Sequence, residues 1–195
     1  MPWSEVVFVG AFATYVAIRA HFERRVGATP TEAAPHARME RALLGVMTIG
    51  AIGLPVGYLA TPWLSDWDYR LSTGVNVVGT LTSLVALWLF WRAHVDLGAS
   101  WSRTMALRRD HRLVTHGVYR HVRHPMYSAI WLFGLGQACL LHNAVAGWSA
   151  LVAFAPMYGF RVAREERMMR KRFGQAYEDY CSTSGRLWPR ARRTT

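Results

Sequence analysis

No Asp, Glu, Lys or Arg occurs in residues 6–18, 42–62, 71–91 or 125–160, so 91 of the 195 positions lie in four tracts without formal charge. A bilayer core about 30 Å thick is crossed by about 20 mostly apolar helical residues. The second and third tracts supply that length directly, and the fourth supplies it twice when folded back on itself. The remaining 104 residues carry every charged side chain, which make up 18% of the chain against roughly 25% in soluble domains. The tracts exclude a soluble fold and a disordered chain. The expectation is an all-α polytopic membrane protein, a single domain over residues 1–195.

Leu141-His142-Asn143 is a short polar break that divides the long tract into a tight hairpin. Five spans follow, at about 4–21, 42–62, 71–91, 126–141 and 144–161. Basic residues number five in 19–41, seven in 92–124 and ten from 161 onward, but only one, Arg70, in 63–70. The three rich segments fall on one side of a five-pass chain, so the positive-inside rule places the amino terminus outside and the carboxyl terminus in the cytoplasm. The net charge of +11 is then a topology signal, with the lipid bilayer as partner and no nucleic acid. Met1-Pro-Trp-Ser-Glu5 has no basic n-region, so the first span reads as a retained helix. Cys139 falls in a span and Cys181 on the cytoplasmic side, and both read as unpaired. Gly53-Leu-Pro-Val-Gly57 matches the small-xxx-small pattern by which membrane helices approach closely, and reads as packing.

Polar groups not needed for topology concentrate in the segments 98–127 and 161–190. In the first, Arg120-His121-Val122-Arg123-His124-Pro125-Met126-Tyr127 runs into the fourth span, with Pro125 suited to the first helical position. The helix start favours an anion, and Arg123 and His124 add donors for a carboxylate or phosphate. A membrane anchor at Arg123 and a simple N-cap at His124 remain the alternative. His116, His121 and His124 have no Cys or acidic ligand in their segment, so no metal site is assigned. In the second segment Arg161 and Glu165 share one helical face, whereas Glu166 points about 100° away, toward Arg170. Ordinary surface ion pairs are one reading. A charge facing the bundle at the end of a span is the other, and such a charge is usually kept for function. Met169, Phe173, Ala176, Tyr177 and Tyr180 recur at helical spacing, predicting a C-terminal amphipathic helix that closes the site. Arg123 and His124, Glu165, Arg161 and the stacking rings Tyr119 and Tyr127 suit a zwitterionic amino acid that bears an aromatic base.

With these motifs in view, the chain resembles the isoprenylcysteine carboxyl methyltransferase family of integral-membrane enzymes. The resemblance covers 97–190 and rests on His111-Arg-Leu113-Val114-Thr-His-Gly117-Val-Tyr119, Arg123-His124-Pro125-Met126-Tyr127, Gly136-Gln137, Asn143, Glu165-Glu166 and Phe173-Gly174 with Tyr177 and Tyr180. It implies methyl transfer from S-adenosyl-L-methionine, with S-adenosyl-L-homocysteine as product, to a lipophilic, anionic carboxylate or thiol acceptor. Cofactor binding is implied for His111, Leu113, Val114, Tyr119, Arg123, His124, Pro125, Met126, Tyr127, Gln137, Glu165 and Glu166. Arg161 matches the arginine that orients the substrate. The excess of 22 Arg over one Lys and the short length suggest a prokaryotic inner or plasma membrane relative.

Three alternatives stand beside it. A phospholipid N-methyltransferase binds an amine, which Arg161 disfavours; a sterol-reductase-like enzyme reads NADPH; a non-catalytic scaffold leaves the polar cluster without a task. The topology is checked by labelling intact cells with an impermeant thiol reagent. An introduced Asp66→Cys is expected to label and native Cys181 is not; external labelling of Cys181 contradicts the five-span arrangement.

Overall fold

The computed structural model describes residues 1–26, 37–98 and 113–190. Helix α1 spans Trp3–Val26 and α2 Ala37–Thr48. A π-helical turn, Ile49–Gly53, links α2 to α3 at Leu54–Ala60. A 3-10 turn at Pro62–Trp67 leads to α4, Thr73–Leu97, and a second at Gly117–Arg120 precedes α5, Pro125–Leu140. Helix α6 runs Ala144–Phe173 and α7 Gln175–Thr183. The described residues contain no strand, only isolated bridges, so the expected all-α class holds. Trp3–Arg25, Arg38–Ala60 and Thr73–Leu97 are long and apolar enough to cross a membrane.

Several boundaries differ from expectation because a helix does not stop at the first charge. Helix α4 continues past residue 91 to Leu97, with Arg92 donating to Asp96 one turn on at 2.8 Å. Helix α6 is 30 residues long, about 45 Å at 1.5 Å per residue, and so outruns an apolar layer of about 30 Å. The hairpin falls at the predicted break. Asn143 caps α6 by accepting from the N–H groups of Val145 and Ala146, and donates to Leu64 O and Asp68 Oδ1 at 2.6 and 2.7 Å. The helix expected to run continuously from Met169 to Tyr180 is instead broken at Gly174. Its φ of +52° ends α6 and turns the chain into α7, whose Tyr177 and Tyr180 are buried while Ala176 is exposed.

Helices α4, α5 and α6 pack through small residues. A Cβ on Gly79 of α4 would meet Cys139 Cβ at 2.6 Å, and one on Gly134 would meet Leu151 Cδ2 at 2.7 Å. Rings fill the spaces between: Tyr15 of α1 stacks on Phe90 of α4 with centroids 4.4 Å apart, and Phe133 packs against Tyr15 and Phe8. The Gly53–Gly57 pattern, however, is not the packing contact. A Cβ on either would have nothing nearer than 3.7 Å, whereas one on Gly50 would stand 2.7 Å from Ser149 O and closer still to Ala153 Cβ. Ser149 Oγ also donates to Gly50 O, so the π turn brings Gly50 rather than Gly53 onto α6. Gly50→Ala is therefore expected to cost about 1–3 kcal/mol, the range for overpacking, seen as a lower melting temperature in detergent. Gly53→Ala and Gly57→Ala are expected to be nearly neutral.

Candidate functional site

The polar cluster forms where the start of α5 meets the second half of α6. Pro125 occupies the first turn of α5, as its lack of an N–H permits, and His124 is the N-cap residue without a side-chain capping bond. The His124 ring lies between two neighbouring carboxylates of α6, its Nδ1 3.8 Å from Glu165 Oε2 and its Nε2 3.4 Å from Glu166 Oε1. It stacks on Tyr127, centroids 5.5 Å apart, and the Tyr127 hydroxyl donates to Glu165 Oε1. Arg161, one turn before Glu165, places Nε 3.3 Å from the same oxygen, as their i,i+4 spacing predicted.

Glu165 and Glu166 have different surroundings. Glu166, whose side chain is 3% exposed, takes a bidentate pair from Arg186, Nε to Oε1 at 2.9 Å and Nη2 to Oε2 at 2.7 Å. Arg123 Nε and Arg170 Nη2 lie 3.7 and 3.8 Å from it. The partnership with Arg170 is thus one edge of a buried cluster rather than a surface pair. Burial pushes the Glu166 carboxyl up, but hydrogen bonds from His124 and Arg186 and their charges override this and hold it at about 2. The Glu165 side chain is 25% exposed and is the accessible carboxylate of the two.

The tail completes the arrangement. Gly185 and Arg186 accept from the backbone N–H groups of Arg123 and His124 at 2.8 and 3.0 Å, and Gly185 donates back to His121 O at 3.0 Å. Arg123 Nη1 donates to Ser184 O and Cys181 O. The groups expected to receive an external anion at the helix start are thus engaged by the protein's own tail and by Glu166. Tyr180 donates to Tyr119 O at 2.6 Å, and burial pushes its phenol up to about 12, so it remains a donor at neutral pH. The turn before α5 is anchored on α4, with Val118 N donating to Asp96 Oδ2 at 2.9 Å and the Tyr119 hydroxyl to Ala93 O at 3.4 Å.

Of the residues expected at the site, His124, Pro125, Tyr127, Arg161, Glu165, Glu166 and Arg123 converge. Leu113 and Val114 lie half-buried in the segment leading to this turn, and Tyr119 is buried behind it. Two do not join. Met126 points the other way, into the cluster of Ile18, Phe22, Phe90 and Ala129. Gln137 sits more than three helical turns along α5, its amide donating to Ala146 O and Ser149 Oγ at the hairpin end of α6. His111 lies outside the described residues. Sequence reasoning missed Arg186, one arginine in a basic tail, and Glu40 of α2, whose Oε1 lies 3.6 Å from Arg161 Nη2. Glu40 stands two residues before an uncharged tract, a placement that could have marked it.

The depressed carboxyl sets the sign of a pH effect. Glu166 contributes stability that is complete above its ordinary value of 4.5 and is lost as pH falls toward 2. Glu166→Gln is expected to lower stability at neutral pH by on the order of 3 kcal/mol. The melting-temperature difference from the parent should shrink below pH 4.5; a difference that grows there contradicts the assignment.

Residues 77–171 match the model of the isoprenylcysteine carboxyl methyltransferase family. A protein-S-isoprenylcysteine O-methyltransferase of Schizosaccharomyces pombe is 37% identical over 90 residues, 45% of this chain and 38% of that protein. A probable protein-S-isoprenylcysteine O-methyltransferase of Oryza sativa subsp. indica is 30% identical over 108 residues, 54% of this chain and 56% of that protein. These matches span about two-fifths to just over half of the relatives' length. The solved structure of a eukaryotic intramembrane Ras methyltransferase, an isoprenylcysteine carboxyl methyltransferase, superposes with a TM-score of 0.59 at 21% identity, over 97% of this chain and 68% of that one. That likeness carries the fold.

Proposed function

We propose that this chain is a member of the isoprenylcysteine carboxyl methyltransferase family and transfers a methyl group from S-adenosyl-L-methionine to the carboxylate of a lipophilic, S-isoprenylcysteine-like acceptor. The observation that carries the reading is the accessible Glu165 carboxylate set beside His124, Tyr127 and Arg161 where two packed helices meet. Groups of both signs lie side by side, which suits a zwitterionic amino-acid moiety on one side and an anionic acceptor on the other.

The donor set fits the cofactor. Glu165 suits its ammonium group, and His124 and the turn around Tyr119 would hold the rest. When bound, the cofactor supplies a methyl group already activated by its sulfonium, so the chain's residues mainly bind, orient and exclude water. Arg161 meets the acceptor carboxylate, which is ionised at neutral pH and needs no general base. An amine acceptor would be repelled by the same guanidinium, which favours O-methylation over phospholipid N-methylation. A nicotinamide dinucleotide would need phosphate donors, and Arg123, the best placed, is engaged with the tail.

In the membrane the chain is read with five spans, the α5–α6 hairpin supplying the last two, the amino terminus outside and the site at the cytoplasmic surface. An acceptor dissolved in the bilayer then reaches Arg161 laterally.

Calorimetric titration of detergent-purified protein tests this. S-adenosylhomocysteine is expected to bind and NADPH not to. Losing a charge-assisted hydrogen bond costs about 1.5–3 kcal/mol, or roughly a tenfold to hundredfold change. Glu165→Gln should weaken S-adenosylhomocysteine by that factor with little loss of stability, whereas His124→Ala should weaken it and also lower stability, because it removes a partner of the buried Glu166. Arg161→Ala should leave its Kd nearly unchanged and depress turnover. NADPH binding in its place overturns the reading; equal weakening by Arg161→Ala moves that residue into the cofactor pocket.

A further inference from the structure

The turn that precedes α5 is gripped by one carboxylate of another helix. Asp96, next to the last residue of α4, has a side chain only 6% exposed and uses its two oxygens separately. Oδ1 accepts from Arg92 Nη2 at 2.8 Å, and Oδ2 accepts from the backbone N–H of Val118 at 2.9 Å, a bond between residues 22 apart in the chain. The Arg92 side chain is 41% exposed, so its ion pair is screened by solvent and contributes little. The grip on Val118 is the stronger of the two, because it is a charge-assisted hydrogen bond to a backbone group. Gly117 has a φ of +59°, and a Cβ there would collide with the same carboxylate, so the contact needs glycine at that position. Val118 O in turn accepts from the N–H groups of His121 and Val122. The peptide that Asp96 holds thus sets the path of the chain toward His124.

We propose that Asp96 is a positioning residue for the cofactor: by holding the Val118 N–H it fixes the turn 117–120, acting through that turn and not on the ligand itself. The inference rests on the assignment of this turn to S-adenosylmethionine. A ligand that meets a turn already in place loses less free energy to ordering than one that must first gather it in. Asp96 therefore acts on cofactor affinity. It leaves the acceptor, assigned to Arg161 of α6, unaffected.

The test is calorimetric titration of S-adenosylhomocysteine into the full chain in detergent, reading Kd and stoichiometry separately. Asp96→Ala is expected to raise Kd by about tenfold or more, the size of one hydrogen bond to a charged group. Asp96→Asn keeps an acceptor oxygen for Val118 without the charge and should fall between the parent and the alanine variant. Arg92→Gln, which leaves the grip on Val118 in place, should bind nearly as the parent does. In turnover of S-adenosylmethionine with N-acetyl-S-farnesylcysteine, the KM for the cofactor should rise in Asp96→Ala by the same factor while the KM for the acceptor stays unchanged. A role in folding alone would lower the stoichiometry and the apparent kcat, and leave Kd and both KM values as they are; that result overturns the proposal. So does an Arg92→Gln variant as weak as Asp96→Ala. Should the alanine variant fail to fold, Asp96→Asn decides: a raised Kd supports the proposal and a parental one overturns it. A parent that binds no S-adenosylhomocysteine overturns this inference together with the reading beneath it. Binding that depends on Asp96 without any methyl transfer sinks the transfer reading and leaves the positioning role standing.

Discussion

One buried carboxylate organises the chemistry-bearing end of this protein. Glu166 joins three separate pieces of chain: α6, which carries it; the start of α5, through His124 and Arg123; and the tail, through Arg186. Removing a charge from water is unfavourable unless partners surround it, and here the partners come from different segments, so satisfying Glu166 requires all three to be in place. The backbone exchange between 121–124 and 185–186 then follows the same register. With Glu166 committed in this way, its neighbour Glu165 is left on the accessible side with Tyr127 and Arg161.

Two consecutive glutamates thus divide a task by helical geometry alone. Successive side chains on a helix diverge by about 100°, so one turns inward to hold the architecture and the other turns toward the position a ligand would take. On the proposed reading a substitution at either lowers activity, but through different routes, one by loosening the tail and the other by removing the accessible carboxylate. Stability and binding must be measured separately to tell them apart.

Much of this was legible in the sequence. The uncharged tracts, the break at Leu141-His142-Asn143, Pro125 at a helix start and the Arg161–Glu165 spacing are local features, and the structure reproduces each where it is local. What could not be read were relations between distant segments. Nothing in the spacing distinguishes Arg186 from other basic residues of the tail, or predicts that a π turn would bring Gly50 rather than Gly53 against α6. The resemblance implies that Gln137 is near the site, but it lies toward the opposite end of α5, more than three helical turns from Pro125, where its amide donates to Ala146 O and Ser149 Oγ. The break at Gly174 was visible as a glycine but overridden by the periodicity of the rings around it.

The central claim is that a methyl group passes to a carboxylate at this site. Incubating the detergent-purified protein with S-adenosylmethionine labelled in its methyl group and N-acetyl-S-farnesylcysteine, then treating the extracted lipid product with base, tests it directly. A carboxyl methyl ester releases its label as volatile methanol under base, whereas an N- or S-methyl group does not. The account predicts base-labile label that forms more slowly in Arg161→Ala; label that resists base, or none at all in the parent, would contradict it.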